Sequence, residues 1–361
     1  MPRDHFIPAA LLGQFSAETT GPLRARRVAV QRSNGAPSMT RAENVGFVND
    51  LYAMSSGDSP SSVDSTWNIV EQEMPAATRL LESGVAVPAK VWLQTLVPYV
   101  AMLFVRGKEF DERFIRRMLG DRLPEPGSVA QEIVASRSNV NMARMFELNR
   151  LLAPVACANW FVMHSPHGHE GIVNDLGLAA TGDLSTGAVG WVVPLSHRVS
   201  LGVFPQKYRD VLLYSHGKWM ALVQHRYPDT TMMRNLDRAL AGAAKDFVVG
   251  PTQRAVAGLG PLVQGQADER LLLERWPLSG RQMREYELHW QRLVSLLDTD
   301  PRHVPDGEIP PPPGLAGPMG SWGPPIFVVP DEGHEQRGVV KRGNVVSLEL
   351  ERGSSFRRRS S

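Results

Sequence analysis

An α+β fold is predicted by three features of this 361-residue sequence. RRVAVQR (Arg26 to Arg32) alternates apolar and polar residues, segments with apolar residues three and four apart follow it, and four short β-branched runs come after Pro154. Helices followed by strands, without regular strand–helix alternation, argue for an N-terminal strand and helical region packed with a small, mostly antiparallel sheet, and against a doubly wound dinucleotide fold. Residues 1–295 read as a single α+β domain and 296–361 as a Pro-rich, partly basic flexible tail.

The elements follow in order. RRVAVQR reads as a strand closed by the turn SNGAP, and VGFVNDLYAM as a short strand or packed loop. In SSVDSTWNIVEQEMPAATRLLESG, the spacing of Val63, Trp67, Val70, Met74, Ala77 and Leu81 predicts a helix, with Ser62 or Asp64 as N-cap and Gly84 just past its end. Pro88 opens a second helix, which Pro98 is expected to kink. Two more helices are expected at about Lys108–Leu119 and Ser128–Leu152. CANWFVMHS, EGIVND, GWVVPLS and RVSLGVFP then predict one antiparallel sheet. DTTMMRNLDRALAGAAKDF predicts a helix capped by Asp229, and FVVG a closing strand. Nine prolines between Pro305 and Pro330 mark the tail, where IFVVP and NVVSLEL stand out as apolar exceptions suited to short strands or to a partner.

Composition narrows the function classes. A chain that is 42% hydrophobic and 21% charged can bury a sizeable core. A net charge of +2 is too small to argue by itself for a polyanion partner, although Arg24, Arg26, Arg27 and Arg357 to Arg359 concentrate the basic residues. The single cysteine, Cys157, forms no internal disulfide, which suits a reducing compartment. VWLQTLVPYVAMLFV (Val91 to Val105) contains Gln94 and Pro98 and falls short of the about 20 apolar residues a bilayer span needs. It reads as a core helix, and with no secretory pattern at the start the expected location is the cytoplasm, without a membrane partner.

No motif specifies a reaction. GxGxxG, the P-loop lysine motif and the G-x-S-x-G elbow are all missing from the sequence. HSPHGHE gathers His164, His167, His169 and Glu170, ligand types that suit zinc, but it matches no established metal spacing and reads first as an exposed loop between strands. Asp175 ends a predicted strand, a place for a base or metal ligand, with an Asx-type turn at Asn174 as the plainer reading. Asn235 falls on a helix beside Arg234 and Arg238, where a polar face explains it without function. Cys157 sits among apolar residues as an inert thiol does, and Trp92, Trp160 and Trp191 read as core.

Six blocks, taken in order, resemble one family. HFIPAALLGQF resembles the amino-terminal H-[YF]-[VI]-P-x-x-x-L-x-x-F signature of bacterial proteins grouped as domain of unknown function 4238. WNIVEQEMPAATRLL resembles that family's glutamate helix, at Glu71, and LVPYVAMLFVRG its apolar helix ending in arginine, at Arg106. IVNDLG resembles the strand ending in aspartate, at Asp175. VVPLSHRVSLGV and RNLDRALAGAAKDFVVG resemble the strand pair and the asparagine-led helix that follow. The likeness spans about His5 to Val249, and it departs from the family pattern at Gly107–Lys108 and at Asn174 and Gly177. It implies that His5 belongs to a shared structural feature and not to a frayed end.

Three functions compete on this reading. His5, Glu71, Arg106, Asp175 and Asn235 can converge in one cleft, with His5, Glu71 and Asp175 holding a divalent metal or sharing acid–base work, Arg106 pairing with phosphate and Asn235 orienting a ligand. Hydrolysis of a phosphodiester is the expected reaction in that case. Alternatively His5, Glu71 and Arg106 form a buried polar network that staples the N-terminus to the helices of a non-enzymatic interaction or regulatory domain. Third, the arginine-rich segments bind nucleic acid or a nucleotide.

Overall fold

The computed structural model describes residues 3–33, 35–54, 61–112, 114, 136–182, 189–204, 212–215 and 218–259, together with 288, 290–291, 293–294, 329–330, 336–341 and 344–349. The chain is α+β, as its patterning predicts. β1 (Arg3–His5), α1 (Ala9–Gly13), β2 (Arg27–Arg32), β3 (Ser38–Arg41), β4 (Phe47–Asn49), β5 (Ala53–Met54) and β6 (Ser61–Ser62) precede the long helix α2 (Asp64–Glu82). The apolar repeat of α2 buries Trp67, Met74, Ala77 and Leu81, and Gly84 follows it in the left-handed conformation that ends helices. Neither expected cap is used. Val63 precedes the first turn without a side-chain cap, because the Asp64 carboxylate instead accepts from Asn68 at 3.0 Å and lies 4.0 Å from Arg106.

A single helical run then crosses the core: α3 (Ala89–Val91), a π-helical turn at Trp92–Leu96, and α4 (Val97–Arg106). Pro98 offers no N–H to the turn before it, and the widened π turn takes up the mismatch expected as a kink. Every residue of α4 from Tyr99 to Arg106 is buried, as befits a helix enclosed on all sides. Residues 110–112 and 114 are helical, while the rest of the expected Lys108–Leu119 helix lies outside the described residues. α5 (Arg137–Ala156) is capped by the Ser136 side chain, which accepts from Asn139 N–H, and residues 128–135 of the helix expected there lie outside the described ones.

The β half contains β7 (Asn159–His164), β8 (Val173–Asn174), β9 (Ala179–Gly182), β10 (Val189–Pro194), β11 (Val199–Phe204), β12 (Leu212–Ser215), β13 (Lys218–Ala221) and β14 (Val223–Arg226). α6 (Thr230–Ala243), capped by Asp229 as expected, β15 (Phe247–Gly250) and α7 (Gln253–Ala257) complete it. One sheet runs β14-β7-β11-β10-β9, antiparallel except for the parallel pair β14–β7. The second of the four predicted strands, EGIVND, is not part of it. As β8 it joins a second antiparallel sheet, β3-β2-β15-β8.

Strand periodicity explains the second sheet's position. Successive side chains alternate between faces, so Val28, Val30, Phe247, Val249 and Val173 enter the main core, which α4 crosses. Ala29, Val248 and Ile172 point the other way, onto Met233, Leu236 and Leu240 of α6. Both faces are covered, and β2 and β15 are accordingly apolar throughout their middles. Trp92, Trp160 and Trp191 are buried in the main core as expected. In the region read as a tail, β16 (Val329–Pro330), β17 (Gln336–Lys341) and β18 (Asn344–Glu349) form a three-stranded sheet that includes parts of IFVVP and NVVSLEL. The remaining residues of 296–361 lie outside the described ones.

β1 pairs with β4 antiparallel, and the turn before β4 needs Gly46 at φ +68°. A Cβ there meets the Ile7 side chain within van der Waals contact and Phe247 Cζ at 3.3 Å. Gly46→Ala is therefore expected to cost about 2 kcal/mol or more, from left-handed backbone strain plus overpacking. Urea unfolding of the variant measures it, and an unchanged midpoint contradicts the account.

Candidate functional site

The residues singled out by sequence divide into two neighbouring clusters and one outlier. The first is organised by Arg106, whose side chain is only 2% exposed although its charge makes burial costly. Its Nε donates to the His5 carbonyl at 2.7 Å, Nη1 pairs with the Glu71 carboxylate and approaches Met102 Sδ at 3.7 Å, and Nη2 faces Asp64 Oδ1 at 4.0 Å. Tyr52 closes the cluster: its hydroxyl donates to the Arg106 carbonyl at 2.9 Å and lies 3.3 Å from that of His5, and its backbone N–H donates to Asp4 at 2.9 Å. The Arg106 guanidinium lies 5.7 Å from the centre of the Tyr52 ring.

A second buried arginine backs the first. Arg144, on α5, donates to the carbonyls of Val105 and Gly107, pairs with Asp111, and lies 5.5 Å from Tyr52 and 4.8 Å from Phe110. Asn141, one turn earlier, donates to the carbonyls of Leu51 and Ala53. The Arg144 contacts close the carbonyls at the C-terminus of α4, and those of Asn141 fix the chain on either side of Tyr52. Glu71 and Asp111 neutralise the two guanidiniums, as buried charges require. Burial still draws both arginines below their usual pKa and pushes the Tyr52 phenol up to about 12.

His5 touches this cluster through its backbone. Its ring points elsewhere, with Nε2–H donating to the Glu43 carbonyl at 3.2 Å and the imidazole 5.9 Å from Phe47. Since a carbonyl can only accept, this bond places the proton of the neutral ring on Nε2. Burial, and secondarily the Arg106 charge, lowers the His5 pKa, while the Glu43 contact opposes the shift.

Asp175 belongs to the second cluster, at the seam of β8 and β15. Its two carboxylate oxygens accept the backbone N–H groups of Lys245 at 3.0 Å and Asp246 at 2.7 Å, and its own N–H donates to Phe247 O at 3.1 Å. The neighbouring Asn174 does more than shape a turn: its Nδ2 donates to Leu178 O and, across to α6, Leu240 O. Lys108, just beyond α4, pairs with Asp246 and so ties this seam to the helix that carries Arg106. Burial of Asp175 outweighs its two amide bonds and pushes its carboxyl up to about 6.

Asn235 is the outlier. It is exposed on α6 and accepts from Arg238 at 3.3 Å, so it joins neither cluster. Nor do His5, Glu71 and Asp175 assemble as ligands: the first contacts a carbonyl, the second an arginine and the third two amides. Among the described residues no group of three or more His, Cys, Asp or Glu side chains is placed to hold a metal ion. HSPHGHE is likewise dispersed, and it is less exposed than a simple loop. His164 Nε2 lies 2.8 Å from His225 Nδ1, His169 lies 3.1 Å from Asp237, and Glu170 accepts from Thr252 at 2.6 Å. Cys157 is buried and its thiol pKa is raised by that burial.

Sequence reasoning missed Tyr52, Arg144 and Asp111. Arg144 did carry a signal, since it occupies an apolar position in the series Val140, Arg144, Leu148, Leu151, all four buried. Tyr52 carried none, being one aromatic among several near β4. No family model matches the chain, and comparisons with curated proteins and with solved structures likewise give no match. No helix among the described residues is long and apolar enough to cross a membrane.

The raised pKa of Asp175 has a defined sign. Folded, the group titrates at about 6, and unfolded at 3.8, so its stabilising contribution is complete below pH 3.8 and is lost as pH rises through 6. Relative to Asp175→Asn, the wild-type chain is expected to lose up to about 3 kcal/mol of stability between pH 4 and pH 7. Denaturant unfolding of both proteins across that range checks it, and a constant difference contradicts it.

Proposed function

We propose that this chain is a non-enzymatic interaction domain, in which His5, Glu71 and Arg106 serve as a structural network and function resides in contacts with a partner. The observation that carries this reading is the enclosure of Arg106, 2% exposed, between Glu71, the His5 carbonyl and Tyr52. A guanidinium that recognises a substrate phosphate keeps donors aimed into an open cleft. This one directs its donors at the protein. Phosphodiester hydrolysis requires Asp175 and His5 to face a common reacting atom, and their present partners lend it no such convergence.

Membership of the domain of unknown function 4238 family is part of the proposal. What supports it is that the residues bearing the resemblance, His5, Glu71, Arg106 and Asp175, are the ones that join elements distant in sequence. A cytoplasmic location is part of it too, on the strength of the lone buried thiol.

Two measurements test the reading. Arg106→Met or Glu71→Leu alone is expected to cost about 3–5 kcal/mol, because each strands a buried charge, whereas the double substitution costs much less than the sum. No turnover of a generic phosphodiester is expected with Mg²⁺, Mn²⁺ or Zn²⁺. Turnover that disappears in a folded His5→Ala or Asp175→Asn variant overturns the proposal in favour of a hydrolase.

A further inference from the structure

The N-terminal arginines gather on one surface. Arg27 and Arg41 are directly opposite each other in the antiparallel pair β2–β3, so their side chains share a face, and both are exposed. Like charges in that register repel. Arg41 has a partial partner in Glu43, 3.6 Å away at a pair that is itself largely solvated, and the Glu18 carboxylate is occupied by the backbone N–H of Arg27 at 3.1 Å. Neither Arg24 nor Arg27 has an ion-pair partner among the described residues. Arg26 spends two donors on the carbonyls of Thr19 and Gly21, which fixes the loop without cancelling its charge.

The surface continues through contacts already described. Glu43 accepts from the His5 ring, His5 lies against Phe47, and Arg3 stacks over Phe47 at 4.7 Å from the ring centre. Arg24 is close enough for its charge to oppose protonation of His5. Arg3, Arg24, Arg26, Arg27 and Arg41 thus face two carboxylates, Glu18 and Glu43, with an aromatic at one end. All five cations are arginines, whose planar forks bind phosphate oxygens in pairs and stack on bases, which a lysine does not do.

We propose that this surface binds single-stranded nucleic acid without sequence preference, with Arg24, Arg27 and Arg41 on successive phosphates and a base stacked at Arg3 and Phe47. A phosphate backbone running past Arg27 and Arg41 turns their mutual repulsion into a shared attraction. The inference rests on the reading of the chain as a non-enzymatic binding domain and supplies its partner.

The test is fluorescence anisotropy of a labelled single-stranded DNA 20-mer with the full chain at 50 and 200 mM salt, followed by a gel of the recovered oligonucleotide. Three phosphate contacts predict about 20-fold weaker binding at the higher salt. In Arg27→Gln/Arg41→Gln, which is exposed and expected to melt like wild type, that ratio falls to about threefold, and Phe47→Ala weakens binding while leaving the ratio unchanged. No binding at 50 mM salt, an unaltered salt ratio in the double variant, or loss on replacing only Arg357, Arg358 and Arg359 with glutamine overturns the inference. Capture by phosphatidylserine vesicles in place of the 20-mer, abolished by the same double variant, overturns it in favour of a membrane surface. None of these outcomes touches the non-enzymatic reading. Cleavage of the 20-mer refutes that reading instead, whatever the affinity.

Discussion

Much of this fold depends on placing a guanidinium where no water can solvate it. Arg106 terminates a helix that is otherwise apolar on every side, and an unpaired charge there costs several kcal/mol. The structure meets that demand with groups from distant parts of the chain: the His5 carbonyl from β1, Glu71 from α2 and the Tyr52 ring from the segment after β4. The N-terminus is therefore ordered because a core helix requires its carbonyl. Arg144 repeats the device beside it, collecting the buried carbonyls at the end of α4 that no further helical turn would satisfy.

The sheet half is joined to this centre by a second polar seam. Asp175 accepts two consecutive amides before β15, and Lys108 reaches from the end of α4 to Asp246 beside them. The short strand β8 offers only two residues to the ladder, so side-chain contacts from Asp175 and Asn174 supply what backbone pairing cannot. Polar residues that look catalytic by type and spacing thus hold elements together. Groups left facing solvent, such as Arg27 and Arg41, lie at the paired ends of β2 and β3 instead.

Legibility varied with the range of the interaction. α2, β2, α6 and its Asp229 cap follow from patterns within one segment, and the structure has them at those places. The start of α5 at Arg137 turns on a single serine side chain, and the placement of EGIVND in the second sheet turns on its partner strand, 70 or more residues away. Asn235 joins Arg106 only through the resemblance to an asparagine-led helix, and the helical phase of α6 turns it to solvent, as the polar face around it suggests.

Periodicity and composition, which are local properties, determined by themselves that this chain is α+β, that the run from Val91 to Val105 is core and that Cys157 is buried. What a polar residue faces is not local. Whether Glu71 meets a metal or an arginine, and whether Asp175 receives a substrate proton or two backbone amides, depends on which distant segments the packing of α4 brings alongside them. Only the tertiary structure decides that, because a carboxylate's chemistry is set by its neighbours and its solvation, and burial against a core helix sets both.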